Sequence, residues 1–272
     1  MNPKLIFLCI VCSLISICLQ GQPKNQKDAK GRKQGYWEAV DSNGKLVYTG
    51  YFKDGQPVGI MKRYFPSGTV RVIMNYGQNS KKVRARFFYQ NEKPAATGNY
   101  IDTKRDSTWT YYSYYTNTVS HRSEYKQGIR HGMARSYYPN GQVADEVNWN
   151  HDKKDGPWKQ FFEDGSIKLT ATYKNDRLTG NFIAYYPDGK KEMEGNYTDD
   201  LPDGEWIHYD QDGKPVSTVR YASGEITNMD EVIASEQEFF KKIEEQKGKI
   251  KEPTVEDLMR EASKNQMIPE GR

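Results

Sequence analysis

The sequence predicts a mainly β protein: an elongated antiparallel β-meander of about eight 24-residue hairpin repeats, closed by a short C-terminal α-helical segment. Three observations predict it. Unit starts at Gly35, Gly59, Val83, Ser107, Gly132, Gly156, Gly180 and Gly204 recur with a period of 24, broken by one extra residue in the fourth unit. Aromatic side chains recur in two registers of each unit. Past Ile226 the composition shifts from Gly and Tyr to Glu and Lys, and the apolar period shifts from two to 3.6.

Within each unit the sixth position holds Val40, Tyr64, Phe88, Tyr112, Tyr137, Phe161, Tyr185 or Tyr209. The second half holds Phe52, Tyr76, Tyr100, Tyr125, Trp149, Tyr173, Tyr197 or Tyr221. Such side chains suit a pleated, half-buried surface. Between the registers lie Asn43-Gly44, Ser67-Gly68, Asn140-Gly141, Asp164-Gly165, Asp188-Gly189 and Asp212-Gly213, read as tight hairpin turns with positive φ. Lys53-Asp54-Gly55, Lys126-Gln127-Gly128, Lys174-Asn175-Asp176 and Thr198-Asp199-Asp200 read as looser turns. The small residue opening each unit reads as a place of close backbone approach. At ~4.8 Å per strand, about sixteen strands would extend ~75 Å. One hairpin is marginal alone, so neighbours must stabilise one another.

The stretches Tyr48-Thr-Gly50-Tyr-Phe52-Lys-Asp54-Gly55, Tyr125-Lys-Gln-Gly128-Ile-Arg-His131-Gly132 and Gly195-Asn-Tyr197 through Trp206 resemble MORN repeats. The likeness is greatest to the bacterial MORN repeat variant often labelled a YwqK-type antitoxin. The resemblance implies an elongated β-meander, an interaction role and no catalytic residues.

Four segments follow. Residues 1–21 read as a signal peptide, one Lys preceding an apolar run from Leu5 to Leu19 that is short for a membrane span. A lipoprotein acylated at Cys18 and a retained anchor are the alternatives. Residues 22–34 read as a basic linker, a solvated tether with five basic residues and one acidic. Residues 35–226 form the repeat array and 227–272 the helical segment. There Asn228 and Glu231 resemble a capping box, Met229, Val232, Ile233, Phe240 and Ile243 share a helical face, and a second helix would start at Thr254 with Val255, Leu258, Met259 and Ala262. The first helix is expected either to cap the last hairpin or to dock a partner, including a second copy of the chain.

Cys9, Cys12 and Cys18 all lie in the leader, so cleavage at Gly21 would leave no cysteine for disulfides, nucleophiles or metal. The formal charge of +4 becomes +3 without Lys4, and the segment after Ile226 carries eight basic and eleven acidic residues. Neither pattern is a nucleic-acid footprint, so no nucleic-acid partner is expected. His121, His131, His151 and His208 match no metal motif. No catalytic residue, cofactor or metal is expected.

Trp37, Trp109, Trp158, Phe182 and Trp206 stand third in their units, whereas units two, three and five place Met61, Ala85 and Ala134 there. With period two, third and sixth positions face opposite sides. Cross-strand stacking and a platform for sugar rings or a partner chain are the competing readings of these aromatics. Units three and four depart most: the opening glycines become Val83 and Ser107, and the turn glycines become Glu92 and Thr116. Trp109, Tyr111, Tyr114 and Tyr115 are therefore the candidate binding residues, the last two at a hairpin tip. The expected function is an exported, cell-envelope scaffold or adaptor for a protein partner. The alternatives are an envelope carbohydrate-binding module and an antitoxin-like neutraliser.

Overall fold

The computed structural model describes residues 23–77 and 81–246. The leader, the expected second helix from Thr254 and the final residues lie outside them. Among the described residues nineteen strands form one antiparallel sheet in meander order, from Gln26–Lys27 to Glu225–Ile226, with Arg177–Leu178 and Gly180–Tyr185 both paired to Ile167–Lys174. Sixteen of these are the expected unit strands. The other three are two-residue strands: one at each end, and Arg177–Leu178 ahead of Gly180–Tyr185.

The expected turn assignments are inverted. At Asn140-Gly141 only the glycine has positive φ (90°), and Tyr138 N–H to Gln142 O (2.9 Å) closes a longer loop with a glycine bulge. Asn or Asp precedes that glycine for another reason: its carboxamide or carboxylate accepts a backbone N–H two residues on, as in Asn140 to Gln142 (2.9 Å) and Asp164 to Ser166 (2.8 Å). The turns read as loose are the two-residue ones. Both central residues have positive φ in Asp54-Gly55 (52° and 81°) and Asn175-Asp176 (51° and 71°), the type I′ pattern that matches strand twist. Unit three keeps the glycine-bulge turn with Glu92 at φ 62°. Unit four absorbs its extra residue by closing a wider loop between Ser113 and Thr118 (2.9 Å), with Asn117 at φ 61°.

Of the opening glycines, Gly132 and Gly156 do mark close approach, to the side chains of Glu124 and Asn148, but the others do not. At Gly59, Gly180 and Gly204 a Cβ would meet open space, but φ is positive and the ladder skips register there. Val83 has no such kink, and its ladder with Val70–Tyr76 runs without a shift. Close approach by an aromatic ring occurs in the second strand. Side chains at the third position form a row with the residues opposite them, several of them small, such as Trp37 with Gly50, Trp158 with Ala171 and Phe182 with Gly195. The Trp109 and Trp206 rings lean back over Gly98 and Gly195 of the preceding unit, where a Cβ would fall inside the ring. Each indole N–H reaches the next carbonyl along, Asn99 (3.0 Å) and Asn196 (3.1 Å). Tyr197 then meets Trp206 edge to face at 4.9 Å, and Tyr100 meets Trp109 at 5.0 Å. Ala171, Phe182 and Trp206 are the core of the last three units. The sixth-position tyrosines face the other side, where Tyr64 pairs its hydroxyl with that of Thr49 (3.1 Å). Tyr173 and Tyr197 are half-buried.

Both rims carry bonds between successive units. Tyr89, Tyr138 and Tyr186 donate to the carbonyls of Tyr112, Phe161 and Tyr209, each 23 residues on, at 2.7–2.8 Å. On the opposite rim the carboxylates of Asp152, Asp176 and Asp200 accept from backbone N–H groups 22 residues back, at Arg130 (3.0 Å), Lys154 (2.7 Å) and Leu178 (2.7 Å).

The two ends differ from expectation. The basic segment is folded from residue 23: Gln26–Lys27 pairs with Gln34 and Lys33 around an Asp28 turn, and Asp28 binds Arg32. Backbone N–H groups and the Arg32 guanidinium hold the Asp28 carboxyl down at about 2. At the other end helix α1 spans Met229–Gln246. Asn228 does not use its side chain as a helix cap. Its Oδ1 accepts from Arg220 N–H (2.8 Å) and its Nδ2 donates to Thr218 O (3.0 Å), so a side-chain amide continues the ladder along the final strand. Glu231 binds Arg220 (2.9 Å) and Asn228. Beyond that first turn the helix leaves the sheet: Ile233, Phe239, Phe240 and Ile243 are exposed, so the helix does not cover the last hairpin.

Gly195→Ala and Gly98→Ala should each destabilise the protein by roughly 1–3 kcal/mol, because the tryptophan ring must move. Urea denaturation checks this, and a loss below about 0.5 kcal/mol would show that the ring is not seated on the glycine.

Candidate binding site

The four candidate residues do not form one patch. Trp109 is 1% exposed, sealed by the lean over Gly98 and by Tyr100 and Phe87, so it is core rather than surface. Tyr114 and Tyr115 stand at the tip of the wide unit-four loop, 48% and 87% exposed. Tyr114 lies edge to face between Tyr89 (5.1 Å) and Tyr115 (5.4 Å), and Tyr89 is itself anchored to Tyr112 O. The tip is therefore exposed but held. Tyr111 lies elsewhere, on the face that carries the third-position row.

Tyr111 lines a cavity of about 470 Å³ on that face. The repeat explains its origin. The Trp109 ring leans towards unit three and away from Ser123, its cross-strand partner. Unit five offers only Ala134, paired with Ser123 and Val147, where a neighbouring unit supplies an indole. Trp158 closes the far side, tilted because Val147 rather than glycine lies opposite it, with its N–H on Asp145 Oδ2 (2.6 Å). A missing ring between two tryptophans leaves a notch.

Among the described residues, two buried polar atoms have no hydrogen-bond partner, Ser123 Oγ and Trp149 Nε1, and both residues line this notch. An unpartnered buried polar group costs about 1–3 kcal/mol. The Arg130 guanidinium lies 3.6 Å over the Trp149 ring and is fixed by Asp152 (3.0 Å). The Tyr111 and Tyr125 hydroxyls are 3.4 Å apart and both accept from Arg105 (3.2 and 3.3 Å). Burial and then the Tyr125 hydroxyl push the Tyr111 phenol up, so it stays neutral. Burial pushes His121 below its ordinary value, against the pull of Asp145; its Nδ1 lies 3.3 Å from Ser136 Oγ.

No group of three or more His, Cys, Asp or Glu among the described residues could hold a metal ion. His151 sits in a type I′ turn, 5.8 Å from the His131 ring. Sequence reasoning missed Ser123, Asp145, Trp149 and Lys154 as notch residues. The available signal was Ala134 in a register otherwise rich in tryptophan.

The family model described as MORN repeat variant matches residues 57–78, 130–151, 154–175, 178–199 and 202–223. The unmatched stretch between the first two segments holds the divergent units three and four. No curated protein matches the chain. Among solved structures, a mutant of S. aureus TarM in complex with fondaparinux, alpha-GlcNAc-glycerol and UDP is 17% identical over 45% of this chain and 21% of that one, with a TM-score of 0.28. A second TarM structure has the same identity and TM-score over 44% and 20%. The Photorhabdus luminescens Tc holotoxin pore with a mutated TccC3 is 10% identical over 69% and 13%, with a TM-score of 0.21. The chain thus spans about a fifth of the length of the TarM structures it matches.

Because His121 charges less readily when folded, the unfolded chain takes the proton first. Its contribution to stability is complete above the ordinary value of 6.5 and is lost as pH falls below it. An NMR titration should place the His121 midpoint below 6.5, and a midpoint at or above it would contradict the buried placement.

Proposed function

Since five of its units match that model, this chain belongs to the MORN-repeat proteins, and on that premise we propose that it is a non-enzymatic binding scaffold for a protein partner, working outside the cytoplasm. The observation that carries the reading is the tyrosine tip. Tyr114 and Tyr115 are large and exposed; Tyr89 braces Tyr114, which meets Tyr115 edge to face, so part of the ordering that a partner would impose is already in place. Tyrosine is among the residues that dominate protein interfaces when it sits at their centre. The sheet acts as a frame: its rim bonds set the position of each loop relative to the next, which is what a surface needs in order to present one rigid epitope.

Export rests on the leader, Lys4 followed by the apolar run from Leu5 to Leu19. It also separates this reading from the antitoxin one, since an exported chain does not meet a cytosolic toxin. N-terminal sequencing of the native protein should begin near Gln22. An intact Met1 in a soluble cytosolic fraction would overturn the export proposal.

The double variant Tyr114→Ser, Tyr115→Ser should keep the wild-type melting point, because both side chains stand at a loop tip. Crosslinked recovery of the envelope partner should fall at least tenfold, about 1.4 kcal/mol. Recovery equal to wild type would show that the tip is not the contact, and unfolding of the variant would show that the tyrosines are structural.

A further inference from the structure

We infer that the notch at unit five is a saccharide site, built to take a neutral, hexose-based glycan. The inference goes beyond the protein-scaffold reading, since the notch lies on the core-row face and the tyrosine tip is at a loop end.

Size is the first constraint. A volume of about 470 Å³ falls in the range of small-molecule pockets and exceeds what an ion or one water fills. Chemistry is the second. An apolar occupant would leave Ser123 Oγ and Trp149 Nε1 without partners, as they are now. Ser123 is 1% exposed, so its hydroxyl is removed from bulk solvent and has most to gain from a ligand hydroxyl.

Charge is the third constraint. The ionised groups around the notch balance. Arg130 is paired with Asp152 (3.0 Å), and the two other charged lining groups, Asp145 and Lys154, carry opposite signs. The lining therefore offers no excess of either charge, which favours a neutral ligand rich in hydroxyls.

The arrangement separates a sugar from a peptide. Polar groups enter from four strands: Tyr111 from Lys104–Tyr112, His121 and Ser123 from Val119–Lys126, Asp145 from Val143–Asn150, and Gln160 from Lys153–Phe161. A peptide presents its donors and acceptors along one line. A pyranose carries hydroxyls around its ring, each both donor and acceptor, and offers C–H faces to rings such as Trp158 and Tyr111. Groups spread over several strands of one face, beside aromatic rings, suit the sugar.

The test uses the full chain in isothermal titration with cellobiose, maltose and diacetylchitobiose, and with a neutral tetrapeptide as the comparison probe. At least one disaccharide should bind saturably and change the tryptophan fluorescence. Ser123→Ala should weaken it about fivefold, the loss of one hydrogen bond, while the melting point stays or rises because an unpartnered hydroxyl has gone. Ala134→Trp should abolish binding by restoring the ring; if that variant does not fold, Ser123→Ala decides. The Tyr114→Ser, Tyr115→Ser variant should bind the disaccharide as wild type does, so the two proposals fail separately. No saturable binding of any disaccharide, binding of the tetrapeptide alone, or unchanged affinity in Ser123→Ala would overturn the site.

Discussion

The structure depends on how each hairpin is held in register against the next. A single-layer sheet has no second layer to bury its rings, so stability must be generated sideways, between neighbours. Three sets of contacts do this. Tryptophans at the third position reach back over a glycine of the unit before, as Trp206 does over Gly195. A tyrosine hydroxyl on one rim reaches a carbonyl 23 residues ahead, and a turn carboxylate on the other rim takes an N–H from 22 residues behind. None of the three can form within an isolated unit.

Turn chemistry follows from the same constraint. The type I′ turns place the second central residue so that its carboxylate points at the neighbouring turn, which accounts for Asp at 152, 176 and 200. On the other rim the turns of units three, five and seven place a tyrosine where its hydroxyl can cross to the next unit. Where the pattern lapses, so does the geometry. Val83 removes the register kink, and the extra residue of unit four widens the loop that closes between Ser113 and Thr118. The wide loop that exposes Tyr114 and Tyr115 grows from that unit.

Much of this was legible in the sequence, and what was not has a physical cause. The period, the strands and the separation of third and sixth positions follow from spacing alone. The turn types did not, because Asn-Gly suits a two-residue I′ turn and a glycine-bulge turn equally, and only the inter-strand register distinguishes them. The basic segment from residue 23 read as a tether because its composition is polar, yet Asp28 forms the same kind of turn as Asp41, accepting N–H groups two and four residues on. Helix α1 was legible from Met229 onwards, but not that the Asn228 side chain would serve as a strand. The site was the least legible part. Trp109 read as a surface anchor because the sequence does not show that Gly98 lies beneath its ring. The notch follows from Ala134 only once the lean of the neighbouring tryptophans is known.

The central claim is that units are coupled through their rims, so a perturbation at one rim bond spreads. Hydrogen exchange of the full chain carrying Tyr186→Phe, which deletes one hydroxyl and no ring, tests it most directly. The account predicts that amides lose protection in both units the bond joins, including the strands Gly180–Tyr185 and Leu201–Tyr209. Loss of protection confined to the loop around Tyr186 would contradict it.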